Sequence, residues 1–173
     1  MLNIKQFDFE DGYGPVPASK HINPDGSVGG WVAHTALVSD YATVSDNARV
    51  YDKAKVSGNA RVSGNAQVSG DARVFDNARV SGNTTVFGNA TVSGDARVFG
   101  NAKVSGHAWV SGHAWVFGDA MVYDTAEVSG HAWVSGDARV SGDARVSGDA
   151  EVYGNALSQV CADCHTQEEE DNA

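Results

Sequence analysis

Valine occupies every sixth position from Val32 to Val152, 21 times without a break. Alanine stands two residues before the next valine position in 20 of 21 hexads between positions 36 and 156, Thr84 being the exception. Glycine follows each valine by two residues in 15 of 21 cases, and His34, Asp40, Asp46, Asp52, Asp76 and Asp124 fill that slot elsewhere. The unit reads Ala-x-Val-Ser-Gly-Asn, as in Ala60-Arg61-Val62-Ser63-Gly64-Asn65.

Ala and Val lie two residues apart, so in an extended strand they share one face while the residue before Val and the residue after it point the other way. Gly followed by Asn, Asp or His predicts a corner, with both slots expected at positive φ. A strand of four residues and a corner of two cannot fold back on itself as a hairpin ladder. A helix is ruled out as well, since glycine at every sixth position is costly and the apolar period is wrong. The chain must coil, each strand stacking on the one a full turn earlier. Three corners per turn predict an 18-residue coil of triangular section. The 21 hexads then make about seven coils, roughly 33 Å tall at about 4.8 Å per rung. Such a rod is held together by nearest-neighbour stacking, because one coil alone buries too little.

The pattern resembles the hexapeptide-repeat motif, an aliphatic residue followed four positions later by a small one, over residues 31–156. That motif marks the left-handed β-helix superfamily of hexapeptide acyltransferases and γ-class carbonic anhydrases. The resemblance implies an all-β, left-handed parallel β-helix, a triangular β-solenoid, and makes homotrimers packed side by side the expected assembly. The opening segments Gly12-Tyr13-Gly14-Pro15-Val16-Pro17 and Gly29-Gly30-Trp31-Val32-Ala33 are similar to those of small bacterial and phage hexapeptide-repeat proteins. Residues 1–30 read as an N-terminal cap with loops, 31–156 as the β-helix, and 157–173 as an acidic, partly disordered tail.

An 18-residue period orders the outward positions before Val into three columns. The first runs Trp31, Arg49, Gln67, Thr85, Lys103, Met121, Arg139, and the second Leu37, Lys55, Arg73, Thr91, Trp109, Glu127, Arg145. The third runs Thr43, Arg61, Arg79, Arg97, Trp115, Trp133, Glu151. Position after Val adds Phe99, Phe117 and Tyr153 to the third face. Like charges directly opposed on neighbouring strands are destabilising, so three stacked guanidiniums call for an anion, a carboxylate or an aromatic cover. Exposed aromatic patches mark contact surfaces. Phe99, Phe117 and Tyr153 are therefore candidates for an interface between copies. Arg61, Arg79 and Arg97, with Trp115, Trp133 and Trp109, are candidates for holding an anionic, nucleotide-like ligand there.

Three His-Ala-Trp segments begin at His107, His113 and His131. His113 and His131 share a corner on adjacent coils, between Asp95 and Asp149, and are the candidates for a metal site. In γ-class carbonic anhydrases the paired histidines are spaced differently, and the competing reading is a corner residue tolerant of positive φ. An acyltransferase would place a general base at one of the histidines, but the unbroken run has no inserted loop to shape a substrate cleft. Cys161-Ala162-Asp163-Cys164-His165 matches a CxxCH haem-attachment pattern and a zinc half-site, and reads more simply as part of a reduced tail.

Charge changes the picture only at the ends. Residues 28–160 carry ten Lys and Arg against thirteen acids, a net of −3, while the stretch from Cys161 carries five acids and no Lys or Arg. The overall formal charge of −10 argues against nucleic acid as a partner, and no apolar run reaches the length of a membrane span. The start lacks a basic stretch followed by an apolar one, which predicts a cytoplasmic protein. The sequence thus points to a non-enzymatic binding solenoid without a cofactor. A purely structural solenoid and a degenerate acyltransferase are the alternatives.

Overall fold

The computed structural model describes residues 5–155 together with Leu157 and Ser158, and every regular element within them is a strand. The chain opens with β1 (Lys5–Phe7), β2 (Val16–Ile22) and β3 (Val28–Ala33). Two-residue strands then recur every six positions from Leu37–Val38 to Leu157–Ser158. Each stacks in parallel on the strand 18 residues away: Arg79 pairs with Arg61 on one side and Arg97 on the other, and Val80 with Val62 and Val98. Three parallel stacks result, and they form the first, second and third faces of a β-solenoid of about seven turns. Their registers reproduce the three columns read from the sequence.

Corners are bonded from coil to coil as firmly as strands are. The amide of Asn77 donates to the Gly94 carbonyl, that of Arg79 to Ala96 and that of Ser81 to Val98, each at 2.9 Å. With backbone groups satisfied in this way, Val and Ala fill the interior, and both are fully buried in nearly every hexad. Each buried valine contributes roughly 1.5–3 kcal/mol relative to exposure.

Within the coils, positive φ is confined to the first corner slot. Glycines and the aspartates Asp46, Asp52, Asp76 and Asp124 have φ of 58–77° there, whereas no described Asn or His in the second slot does. This corrects the expectation that both slots need it: one left-handed residue turns the chain, and the next returns to ordinary backbone. The corner histidines are thus not conformational substitutes. Glycine is favoured for space as well as for φ, since a Cβ on Gly82 would lie 2.7 Å from the Gly100 carbonyl oxygen. The aspartates in this slot gain a compensating bond. Oδ2 of Asp46 accepts from Gly64 N at 2.9 Å, Asp52 from Gly70 N at 2.9 Å, Asp76 from Gly94 N at 3.2 Å and Asp124 from Gly142 N at 3.1 Å.

The N-terminal strands continue the first face in antiparallel sense. They also close the lower end of the rod. Asn23, almost fully buried, accepts from Val44 N through Oδ1 at 2.9 Å, and His21 Nε2 lies 3.0 Å from the Ala42 carbonyl oxygen. Side chains thus stand where a preceding strand would pair, a way of blunting a sheet edge. A second small core covers the first face. Phe7 stacks on Trp31 at 4.3 Å, Phe9 stacks on Tyr51 at 4.8 Å, and Arg49 Nη1 donates to both the Phe9 carbonyl and Glu10 Oε2 at 3.0 Å. Tyr51 follows a valine and points outward from the coil as its position demands. It is nonetheless buried, because the N-terminal segment lies over it.

Candidate functional site

The third face carries the densest chemistry. Arg61, Arg79 and Arg97 occupy successive rungs and are exposed. Among the described residues none of the three has an ion-pair partner, in contrast to Arg49 and Arg145. Above them, Trp115 and Trp133 stack in parallel, centroids 5.3 Å apart and planes within 5°. Phe99 and Phe117 do the same at 5.0 Å and 2°. The two pairs interlock edge to face, Phe99 against Trp115 and Phe117 against Trp133, both at 77°. Four rings therefore form one array, each edge-to-face contact of a kind worth about 0.5–1.5 kcal/mol beyond burial.

Arg97 joins the two halves of the face. Its guanidinium carbon lies 4.8 Å over the Trp115 ring, a cation–π contact. Because Arg97 and Trp133 pair with Trp115 on opposite sides, both faces of the Trp115 ring are occupied. A planar base could enter there only by opening the stack, so Trp115 presents its edge to a ligand. Trp133 and Tyr153 are partly exposed, at 43% and 37%. At the lower end of the column Arg61 lines a cleft of about 450 Å³ with Tyr41, Thr43, Asn59, Pro24 and Asp25. Hydrogen bonds from Ser27 hold the Asp25 carboxyl below the usual carboxylate range.

Trp109 is not part of this group. It stands on the second face between Thr91 and Glu127, 49% exposed, with Nε1 donating to Ser93 Oγ at 3.2 Å. Within one chain a corner separates Trp109 from Trp115 and Trp133, as its place in the second column requires.

The edge between the second and third faces carries His113 and His131, whose rings stack 4.9 Å apart with planes within 6°. His113 Nδ1 lies 3.7 Å from Asp95 Oδ2, both side chains being more than half exposed. Parallel rings aim their lone pairs side by side instead of at one point. Among the described residues no group of three or more His, Cys, Asp or Glu side chains is placed to hold a metal ion. Cys161 and Cys164 lie outside the described residues.

The edge between the third and first faces is stiffened by a polar ladder that sequence reading passed over. Each amide Nδ2 donates to the Oδ1 one coil on, from Asn47 to Asn65 (3.1 Å), Asn83 (2.9 Å), Asn101 (3.1 Å) and Asp119 (3.0 Å). Asp119 ends the run because a carboxylate has no donor to pass on. The recurrence of Asn at 18-residue spacing was the signal for it.

The strands follow one another at six-residue intervals with no insertion between Leu37–Val38 and Glu151–Val152, so no inserted loop lies over His107, His113 or His131, whereas His34 lines a cleft of about 390 Å³ with Asp11, Tyr13, Val16 and Pro17 of the N-terminal segment. The family described as YdcK Beta solenoid repeat matches residues 54–70, 66–82, 72–86, 132–148 and 138–154. No curated protein matches the chain. The protein is a β-solenoid repeat protein, similar in its coils to the YdcK beta-solenoid repeat.

Proposed function

We propose that this solenoid is a non-enzymatic binding scaffold that captures a small, multiply charged anion on its third face, a phosphate-bearing ligand of the nucleotide class. The observation that carries the reading is the run of three exposed guanidiniums on consecutive rungs, without carboxylate partners among the described residues. Strand spacing holds like charges about 4.8 Å apart, and their repulsion is relieved when an anion bridges them. Guanidinium presents paired donors that match phosphate oxygens. Arg79, in the middle, is the principal contact, with Arg61 and Arg97 on either side. The cleft beside Arg61 gives the column a concave end, and the aromatic array gives it an apolar one. Recognition of the phosphate portion dominates, because the Trp115 ring is already covered on both faces.

The test is thermal shift and titration calorimetry with inorganic pyrophosphate and with a nucleoside diphosphate, since a ligand selective for the native state raises Tm. Both probes are expected to stabilise the protein. The effect should weaken with salt and disappear in Arg79→Ala while persisting in Arg73→Ala on the second face. Equal shifts in Arg79→Ala and the wild type, or no shift with either probe, would end the proposal.

A further inference from the structure

From the order of side chains along the third face we infer that this face pairs with a second copy of the same chain, the two rods running antiparallel. Read upward, the column before Val is Arg61, Arg79, Arg97, Trp115, Trp133, Glu151, on six consecutive rungs. Three cations are followed by two rings and a carboxylate. Two such faces brought together by a two-fold axis lying in the contact plane, parallel to the strands and between the Arg97 and Trp115 rungs, keep column opposite column and reverse the order of rungs. Arg97 then meets Trp115 of the other copy, Arg79 meets Trp133, Arg61 meets Glu151, and Phe99 lies opposite Phe117. Every cation faces a ring or a carboxylate, and every contact occurs twice, as an isologous interface requires.

Parallel arrangements lack this match. A two-fold axis along the rod, or three rods side by side, gathers all the guanidiniums at one end and all the rings at the other, and concentrated like charge opposes association. Six rungs of about 4.8 Å and four extended residues of about 3.3 Å give a contact of about 400 Å² per copy. The pair would bury roughly 800 Å², in the range of weak, reversible interfaces. Association is accordingly expected in the micromolar range. The inference rests on the reading of the third face as the working surface. It adds a second occupant, which competes with the anion because the same Arg79 serves both.

Light scattering on the full chain across about 5–200 µM should show the mass rising from 18.1 kDa towards twice that value. Trp133→Arg, which sets Arg against Arg79 of the other copy, should weaken the pair at least tenfold. The exchange Arg79→Trp with Trp133→Arg restores the match and should recover most of that loss. Orientation is read in a background carrying Cys161→Ser and Cys164→Ser. A short bismaleimide should join Ser81→Cys of one copy to Ser135→Cys of another in a mixture of the two single variants, and should not join Ser81→Cys to itself. A monomer throughout, a three-fold mass, or same-rung cross-linking would overturn the inference. A pyrophosphate shift that survives any of those results would leave the anion reading standing. A dimer whose chains ignore pyrophosphate would remove the anion reading alone.

Discussion

Replacing Gly82 by alanine isolates what holds successive coils at their fixed spacing. The position has φ of +76°, and a Cβ built there lies 2.7 Å from the Gly100 carbonyl oxygen and 3.0 Å from its nitrogen. Two costs follow. A side chain in left-handed backbone costs about 1–2 kcal/mol, and forcing the neighbouring coil outward adds the overpacking cost of roughly 1–3 kcal/mol. Gly82→Ala should therefore destabilise by about 2–5 kcal/mol. Gly148 shares the backbone strain, at φ of +66°, but no described atom lies within 4 Å of its added Cβ, so Gly148→Ala should cost only about 1–2 kcal/mol. Gly82→Asp provides the third comparison. On the same edge Asp46 recovers a hydrogen bond from Gly64 N at 2.9 Å, and Asp tolerates left-handed backbone better than Ala. Asp at position 82 should be more stable than Ala by about 1 kcal/mol. Guanidinium denaturation followed by far-ultraviolet circular dichroism measures all three, with hydrogen exchange to detect separate melting of the two halves, which stacked repeats permit. Equal cost for Gly82→Ala and Gly148→Ala, or an aspartate worse than alanine, would refute the account of corner spacing.

Val98 is fully buried between Val80 and Val116; Val98→Ala removes two methyl groups from a core with little room to collapse and should cost about 2 kcal/mol in the same assay. Glu10 titrates below its usual value of 4.5 because of the hydrogen bond and charge of Arg49. A lowered folded-state pKa means the bridge is present in full above pH 4.5 and fails as pH falls through the lowered value. Hydrogen exchange should therefore show β1 and the segment around Phe9 losing protection on acidification before the coils do, and Arg49→Met should abolish that pH dependence.

The coil, its 18-residue register and the membership of each face were legible because Val and Ala repeat without interruption, and a period alone decides what stacks on what. Arg79 could be placed between Arg61 and Arg97 without coordinates. What lies between periods was not legible. Nothing in the spacing says that Phe99 turns its edge to Trp115, or that Arg97 covers the lower face of that ring, since these depend on side-chain rotamers. The roles of Asp46 and Asp76 were hidden for a similar reason: they looked like lapses from glycine, and only the bond to the next coil explains them. Trp109 stands in the second column by period alone, a corner away from the third-face Trp115 despite the shared His-Ala-Trp setting. Tyr51 escaped notice because its burial comes from a segment outside the repeat.

Because each side of the triangle uses six residues and every core position of the coils but Thr84 is Val or Ala, the interior is indifferent to how many hexads precede a given coil. Duplicating or deleting a single hexad would leave the packing intact yet rotate everything beyond it by one third of a turn, carrying Trp115 and Trp133 away from the arginines. Eighteen residues added between Arg79 and Arg97 would keep the faces aligned and merely lengthen the spacing. The same backbone can thus be redecorated by slippage of a short tandem unit, with surface identity changing in discrete steps while foldability is preserved.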